Sequence, residues 1–244
     1  MFGRKFLIFI FFSTFLFGQK NVENQQLLWY GYYNKLQINK NWVLNSEVQE
    51  RHFYQPLVQH QLVFRTNLDR RILDDINVSL GFVVFLQSPN DPESESTLMV
   101  PELRTDFSFN AKKKYKYFNV NQRFKVEARF FHQTENNELV GGYQFSNFRM
   151  RYQLGLDIPL IKKQDAEKLI LKIKDEVMFN FGKNIVKNVF DQNRIYIGLN
   201  YPMNKNLAFE AGYLNWFQQR PSGTDFYNRD IIRFSVFHTI NLKK

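Results

Sequence analysis

Hydrophobic and polar residues alternate along most of this chain. In "FNVNQRFKVEARFF", Phe118 to Phe131, one face carries Phe118, Val120, Gln122, Phe124, Val126, Ala128 and Phe130. The other carries Asn119, Asn121, Arg123, Lys125, Glu127, Arg129 and Phe131. A period of two is the pleat of a β-strand, whose successive side chains point to opposite faces. The period returns near Leu27–Ile38, Trp42–Phe53, Val58–Asp69, Ile76–Gln87, Val100–Asn110 and Tyr117–Phe131. It continues near Asn147–Ile158, Leu169–Phe181, Arg194–Tyr201, Leu207–Phe217 and Ile231–Leu242. Most of these segments have 10 to 14 residues. Soluble strands usually run about 5–6 residues, whereas a tilted strand that crosses a bilayer needs about 9–11. The predicted fold is therefore all-β: an antiparallel up-and-down transmembrane β-barrel over residues 19–244. Eleven segments conflict with the even strand numbers of bacterial single-chain barrels. A barrel of 10 or 12 strands is expected, with Leu27–Ile38 partial or internal, or with one segment merged or missed.

The connections alternate between short and long. "INKN" (Ile38–Asn41) and "MNKN" (Met203–Asn206) read as tight turns, because Asn tolerates positive φ. "NAKKKYK" and "LIKKQDAEK" are somewhat longer and polar. Between them lie Ser88–Thr97, His132–Gln144, Gly182–Asn188 and Gln218–Asp230, which read as long loops. Short periplasmic turns and long outer loops are the layout of an outer-membrane barrel. Aromatic residues gather at the long-loop ends: Phe53 and Tyr54, Phe130 and Phe131, Tyr143, Phe145 and Phe148, Phe179 and Phe181, Trp216 and Phe217, Phe226 and Tyr227. A thinner set, Trp42, Phe109, Tyr115, Tyr117 and Tyr201, lies near the short turns. Two such girdles are expected where amphipathic rings sit at headgroup level.

Which face meets water follows from the charges. One face per strand carries Glu47 and Arg51; Arg65; Glu102, Arg104 and Asp106; Arg123, Lys125, Glu127 and Arg129. The same face carries Arg149, Arg151 and Asp157; Lys172, Lys174 and Glu176; Arg194; Glu210; Arg233; and Gly31, Gly81, Gly155, Gly198 and Gly212. Opposite them stand rows such as Ile76, Val78, Leu80, Phe82, Val84 and Leu86. Turned inward, so many Phe and Leu rows would overfill a barrel of this strand number, so the charges are assigned to the lumen. The candidate lumen network comprises Arg104, Arg123, Glu127, Arg129, Arg149, Arg151, Glu176, Arg194, Glu210 and Arg233. Interleaved acids and bases favour cross-strand pairing that fills most of the lumen; an excess of bases leaves room for an anion-preferring path or solute site. Asp175 falls on the apolar side, a conflict that a bulge or a rim position would remove.

The N-terminus changes the picture further. Arg4 and Lys5 precede the apolar run "FLIFIFFSTFLF" and the small residue Gly18, the pattern of a cleaved signal peptide over residues 1–18. That run is about half of the ~20 residues of a membrane helix. The full chain has 33 basic and 23 acidic residues; without Arg4 and Lys5 the balance is 31 to 23, or +8. For an exported chain this points to lipid headgroups or small anionic solutes rather than nucleic acid. Absence of cysteine excludes disulfides, thiolate metal sites and thiol catalysis.

The inventory for catalysis is thin. His52 and His132 are placed at the outer rim, where a lipid-modifying site could lie, and His60 and His238 are single polar breaks in apolar rows, placed at the rims. No G-x-S-x-G, H-E-x-x-H or Ser/His spacing occurs, so no catalytic residue, metal or cofactor is assigned.

The order "LLWYGYYNKLQINKNWVLNSEVQERHF", "ELRTDFSF", "FKVEARFF", "FRMRYQLGLDIPL", "DEVMFNFG" and "DQNRIYIGLNYPMNKNLAFEAGYLN" resembles an uncharacterised outer-membrane β-barrel family found chiefly in Bacteroidota, domain of unknown function 2490. The resemblance covers essentially the whole mature chain and implies outer-membrane location and fold, with insertion by the barrel assembly machinery; it carries no catalytic residues. Three function classes stand at this point: a structural or interaction barrel with a charge-paired lumen, a small anion-preferring pore or solute binder, and a lipid-modifying enzyme.

Overall fold

The computed structural model describes residues 20–163 and 166–242. The signal peptide assigned to residues 1–18 lies outside them. Among the described residues there are eleven strands and no helix: β1 (Asn21–Gln37), β2 (Trp42–Phe53), β3 (Gln59–Leu73), β4 (Ile76–Gln87), β5 (Val100–Lys114), β6 (Asn119–Glu135), β7 (Glu138–Lys163), β8 (Ala166–Phe181), β9 (Phe190–Pro202), β10 (Leu207–Gln219) and β11 (Asp225–Asn241). Each pairs with its neighbours in sequence, and β1 closes the ring against β11.

The count is eleven, neither 10 nor 12, and Leu27–Ile38 belongs to a full wall strand. Geometry forces the consequence. Strands that alternate in direction around a ring close antiparallel only when their number is even. With eleven, one seam must run parallel, and β1 meets β11 in parallel from Asn21↔Asp225 to Gln37↔Asn241. The other pairs are antiparallel, so the barrel is mixed rather than wholly up-and-down. β1 therefore starts at the long-loop rim, while β11 ends at the short-turn rim.

Local chemistry sets the turns. In both "INKN" and "MNKN" the first Asn side chain accepts hydrogen bonds from backbone N–H groups two and three residues on: Asn39 from Asn41 and Trp42 at 2.9 and 3.0 Å, Asn204 from Asn206 and Leu207 at 2.8 and 2.9 Å. At the opposite rim, His132–Gln144 differs from the loop predicted for it. β6 and β7 continue past their neighbours as a projecting hairpin, closed by Asn136 and Asn137 with φ of 50° and 62°. Two consecutive left-handed residues make the turn that matches strand twist, and Asn adopts that conformation readily.

Polarity is inverted relative to a soluble barrel. Phe124, Leu154, Ile195, Ile197 and Phe234 are exposed on the outside, while Glu127, Arg149, Arg151 and Glu210 are buried inside. Aromatic contacts run around the outside near the long loops: Phe130 to Phe145 to Phe148 to Phe181, and Phe217 on Phe226. Phe53, Trp216 and Tyr227, assigned above to this girdle, are buried within the barrel instead. The reason is the pleat: adjacent residues of a regular strand cannot both face outward.

Asp175 keeps its outward position without a bulge at its own register. It sits between Leu154 and Ile195, and Asn193 Nδ2 donates to its Oδ1 at 2.6 Å. Outward polar contacts continue along the same side of the barrel, from Asn215 to Asn228 at 2.8 Å and from Asn228 to Asn24 at 3.0 Å.

Candidate functional site

The lumen has two unlike walls. On β5 to β8 the inward face is charged. Glu102, fully buried, accepts from Arg104 Nε and Nη2 at 2.6 and 2.7 Å and from Arg129 Nε at 2.6 Å. Glu127, also fully buried, accepts from Arg151 Nη1 at 2.7 Å. Its other oxygen has only the longer charge contacts of Arg104 (3.7 Å) and Arg149 (3.9 Å), beyond hydrogen-bond range. Arg151 reaches on to Glu176, which also accepts from Arg123 Nη2 at 2.8 Å. Seven of the residues named from the sequence, Arg104, Arg123, Glu127, Arg129, Arg149, Arg151 and Glu176, are thus joined through shared carboxylates. Alternation explains it: on neighbouring strands in register, inward side chains stand about 5 Å apart.

The other three lie elsewhere. Glu210 is held by neutral donors, Tyr196 Oη at 2.9 Å and Asn200 Nδ2 at 3.2 Å. Arg233 donates to Tyr33 Oη at 2.7 Å and Ser235 Oγ at 3.2 Å. Arg194 has no described carboxylate within ion-pair distance. These three stand outside the shared-carboxylate network: Arg194 faces Glu176 across the β8–β9 ladder without an ion pair, and Glu210 and Arg233 bond to inward tyrosines instead.

This second wall is an alternation of guanidinium groups and rings. Arg51 lies 3.9 Å over Trp29; Arg194 lies 5.5 Å from Trp29 and 4.5 Å from Trp216; Arg229 lies 4.3 Å from Trp216 and 4.2 Å from Tyr227. Leu27, Phe53, Leu214 and Ile231 pack around the two indoles. Two glycines make room for the next ring. Gly198 pairs with Gly212 across the ladder, and a Cβ on Gly212 would come within 2.5 Å of the Ile197 carbonyl oxygen and 2.6 Å of Tyr196 Oη. Their bare backbone lets Tyr196 reach Glu210.

Among the described residues, cavities open along the lumen at three levels. One of about 500 Å³ reaches the long-loop rim, where Asn90, Asn184 and Arg220 border it. A middle one of about 290 Å³ and one of about 340 Å³ toward the short turns follow. Ion pairing therefore does not fill the lumen throughout. Arg65 borders all three, and its ion pair with Glu47 stands at the junction of the lower two.

Bulges add groups that strict alternation misplaces. The register shifts between Met178 and Phe179, so Asp191 and Gln192 both turn inward, and Asp191 Oδ2 lies 2.9 Å from Arg149 Nε at an angle poor for a hydrogen bond. A shift between Arg51 and His52 likewise sends His60 inside, against Phe53 and Trp216, rather than to a rim. Arg229, placed by the sequence in a loop, is fully buried on β11 and donates to Gln25, Gln218 and Asn90. Asn90 thereby ties the long β4–β5 loop into the mouth. His52 Nε2 is 3.0 Å from Glu50, and His132 contacts the Gln133 carbonyl and the Tyr143 ring. Among the described residues no serine hydroxyl is hydrogen-bonded to a histidine ring, and no cluster of three His, Asp or Glu is placed to hold a metal.

Among curated proteins and solved structures, no significant match to this chain is found. A family model described as a protein of unknown function, DUF2490, matches residues 26–228, from β1 to the start of β11. With its closed barrel and charged lumen, the chain belongs to the DUF2490 family.

Proposed function

We propose that this chain is an outer-membrane β-barrel that acts through its lumen and loops rather than by bond-making catalysis, and that its lumen is constricted rather than an open channel. The carrying observation is the inverted polarity: apolar rows outside a closed barrel, buried ion pairs within. Exposed apolar surface of that extent needs a nonpolar surrounding. A closed ring has no unpaired edge to satisfy in lipid. The aromatic belt near the long loops and the exposed Phe109, Tyr117 and Tyr201 near the short turns suit two headgroup levels. The reading places lipid against the outer face, the long loops outside the cell and the short turns in the periplasm, with export through the signal peptide and insertion by the barrel assembly machinery.

The charged wall and the Arg65–Glu47 junction break the lumen into small cavities, which supports a constricted lumen. Two measurements test the proposal. The protein should fractionate with outer membranes and migrate differently on gels when heated; recovery in the soluble periplasm without detergent would end the membrane reading. In planar bilayers it should give small or no conductance. Steady, large conductance steps would end the constricted reading. Small anion-selective currents would favour the narrower alternative of an anion path, which the arginines shared between successive cavities support.

A further inference from the structure

We infer that the cavity at the long-loop end binds a phosphate-type oxyanion carried on a hydroxyl-rich molecule such as a sugar, with Arg194, Arg51 and the Trp216 indole N–H as its recognising donors. The inference needs the barrel's lumen but not its membrane location.

The cavity carries an excess of positive charge. Eight arginines border this cavity and one carboxylate, Asp191. The charged wall sets five guanidinium groups, Arg104, Arg123, Arg129, Arg149 and Arg151, against four carboxylates, Glu102, Glu127, Glu176 and Asp191. Arg51 and Arg194 add charge without any described carboxylate within 4 Å. Arg51 is oriented by amide oxygens, donating to Gln61 at 2.6 Å and to Gln49 at 2.7 and 3.2 Å. Arg194 makes a single long contact, 3.5 Å to Gln192. Guanidinium groups in so confined a space are ordinarily paired with an anion.

Three buried donors on this side of the lumen have no acceptor. Trp29 and Trp216 are each 3% exposed, and both indole Nε1 atoms are buried without an acceptor, as is Arg194 Nε. All three are donors. Buried polar groups are nearly always satisfied, so a surplus of donors on one wall calls for a ligand that offers only acceptors there. Charge requires an anion; several donors from separate strands require several oxygens. Guanidinium forks match phosphate or carboxylate oxygens in pairs. Donors converging from β2, β9 and β10 suit a tetrahedral group with three free oxygens better than a planar one with two. Inorganic phosphate alone is small for about 500 Å³, and much of the remaining lining is amide: Gln61, Gln87, Asn147, Asn180, Asn188 and Gln218. Amides offer donors and acceptors together, which is the complement of hydroxyl groups.

A free sugar phosphate and the phosphorylated headgroup of a lipid share this chemistry. The experiment is calorimetric titration of the full barrel in a neutral detergent with glucose 6-phosphate, and separately with dihexanoyl phosphatidic acid. Wild-type protein should bind glucose 6-phosphate saturably, with inorganic phosphate competing. Binding of phosphatidic acid without glucose 6-phosphate would place a lipid phosphate in the cavity and overturn the hydroxyl-rich part of the inference. Arg194→Gln should weaken binding at least about tenfold, the loss of one charge-assisted donor pair. Trp216→Phe keeps the ring, removes the N–H, and should weaken it about fivefold. Arg70→Gln, at the other end of β3 beside Trp42, should leave it unchanged. Heat-modifiable migration verifies that each variant is folded. Absence of saturable binding of either phosphate compound by wild type overturns the inference, as does wild-type affinity in folded Arg194→Gln and Trp216→Phe.

Discussion

Glu127 concentrates the electrostatics of the charged wall in one residue. It is fully buried, bonded to Arg151, and lies 3.7 and 3.9 Å from Arg104 and Arg149 as a second, longer charge partner. Removing one partner of a buried pair leaves the other charge uncompensated, on the order of 3–5 kcal/mol, and less where water enters the lumen. Glu127→Ala should therefore lower the denaturant midpoint clearly, whereas Glu93→Ala, in the exposed β4–β5 loop, should not move it. Equal midpoints for the two variants would show that the wall is hydrated enough to make its pairs dispensable. At this scale the parity of each charged side chain was legible in the sequence. The acids and bases of β5 to β8 sit two apart on strands adjacent in the chain, so their contacts follow from register alone. Arg194, Glu210 and Arg233 have the same parity, but Arg194 and Arg233 meet rings contributed by β1, far away in sequence, and Glu210 meets Tyr196 rather than a base.

Strands are the scale at which regularity and its interruptions compete. Alternation located all eleven strands, because each must keep one apolar face over its whole length. Bulges interrupt it: His60, placed at a rim, shifts to the inside at one, and Asp191, which lies outside the alternating segments, turns inside at another. The projecting β6–β7 hairpin is not marked by alternation, since a strand beyond the barrel rim has no partner on one side to demand a two-residue period. Its turn makes a test of the local geometry. Asn137 has φ of 62°, a conformation that a β-branched residue adopts at a cost of about 1–2 kcal/mol. Asn137→Val should speed amide hydrogen exchange across Thr134–Leu139 while the global midpoint stays put, and Asn137→Gly should not. Unchanged exchange in the valine variant would rule out the left-handed two-residue turn.

The whole molecule is governed by the odd strand number. A parallel seam of β1 on β11 separates the two ends of the barrel wall, with Asn21 at the long-loop rim and Asn241 at the short-turn rim. On the proposed orientation, a protease-cleavable tag inserted after Lys20 should be cut on intact cells, as should one inserted at Ser94 in the β4–β5 loop. A tag after Leu242 should be protected. Protection of the Lys20 tag alongside cleavage at Ser94 would mean that β1 does not run parallel to β11. The seam also sets β1 next to β11, with β10 and β9 following around the ring, so that Trp29 and Trp216 meet edge-on at 5.8 Å and the Arg51–Trp29–Arg194–Trp216–Arg229 stack becomes continuous.

By itself the sequence determined the strands, their inward and outward faces, and the ion pairs between strands adjacent in the chain, because all three depend on a two-residue period and short-range neighbours. It could not determine strand parity around the ring, since eleven similar segments close either by discarding one or by accepting a parallel seam, and that choice is made by packing over the whole barrel. Nor could it locate the aromatic wall. Trp29 and Trp216 are 187 positions apart, and only closure of β1 against β11 brings their rings and the unpaired guanidinium groups between them to one side of a single cavity.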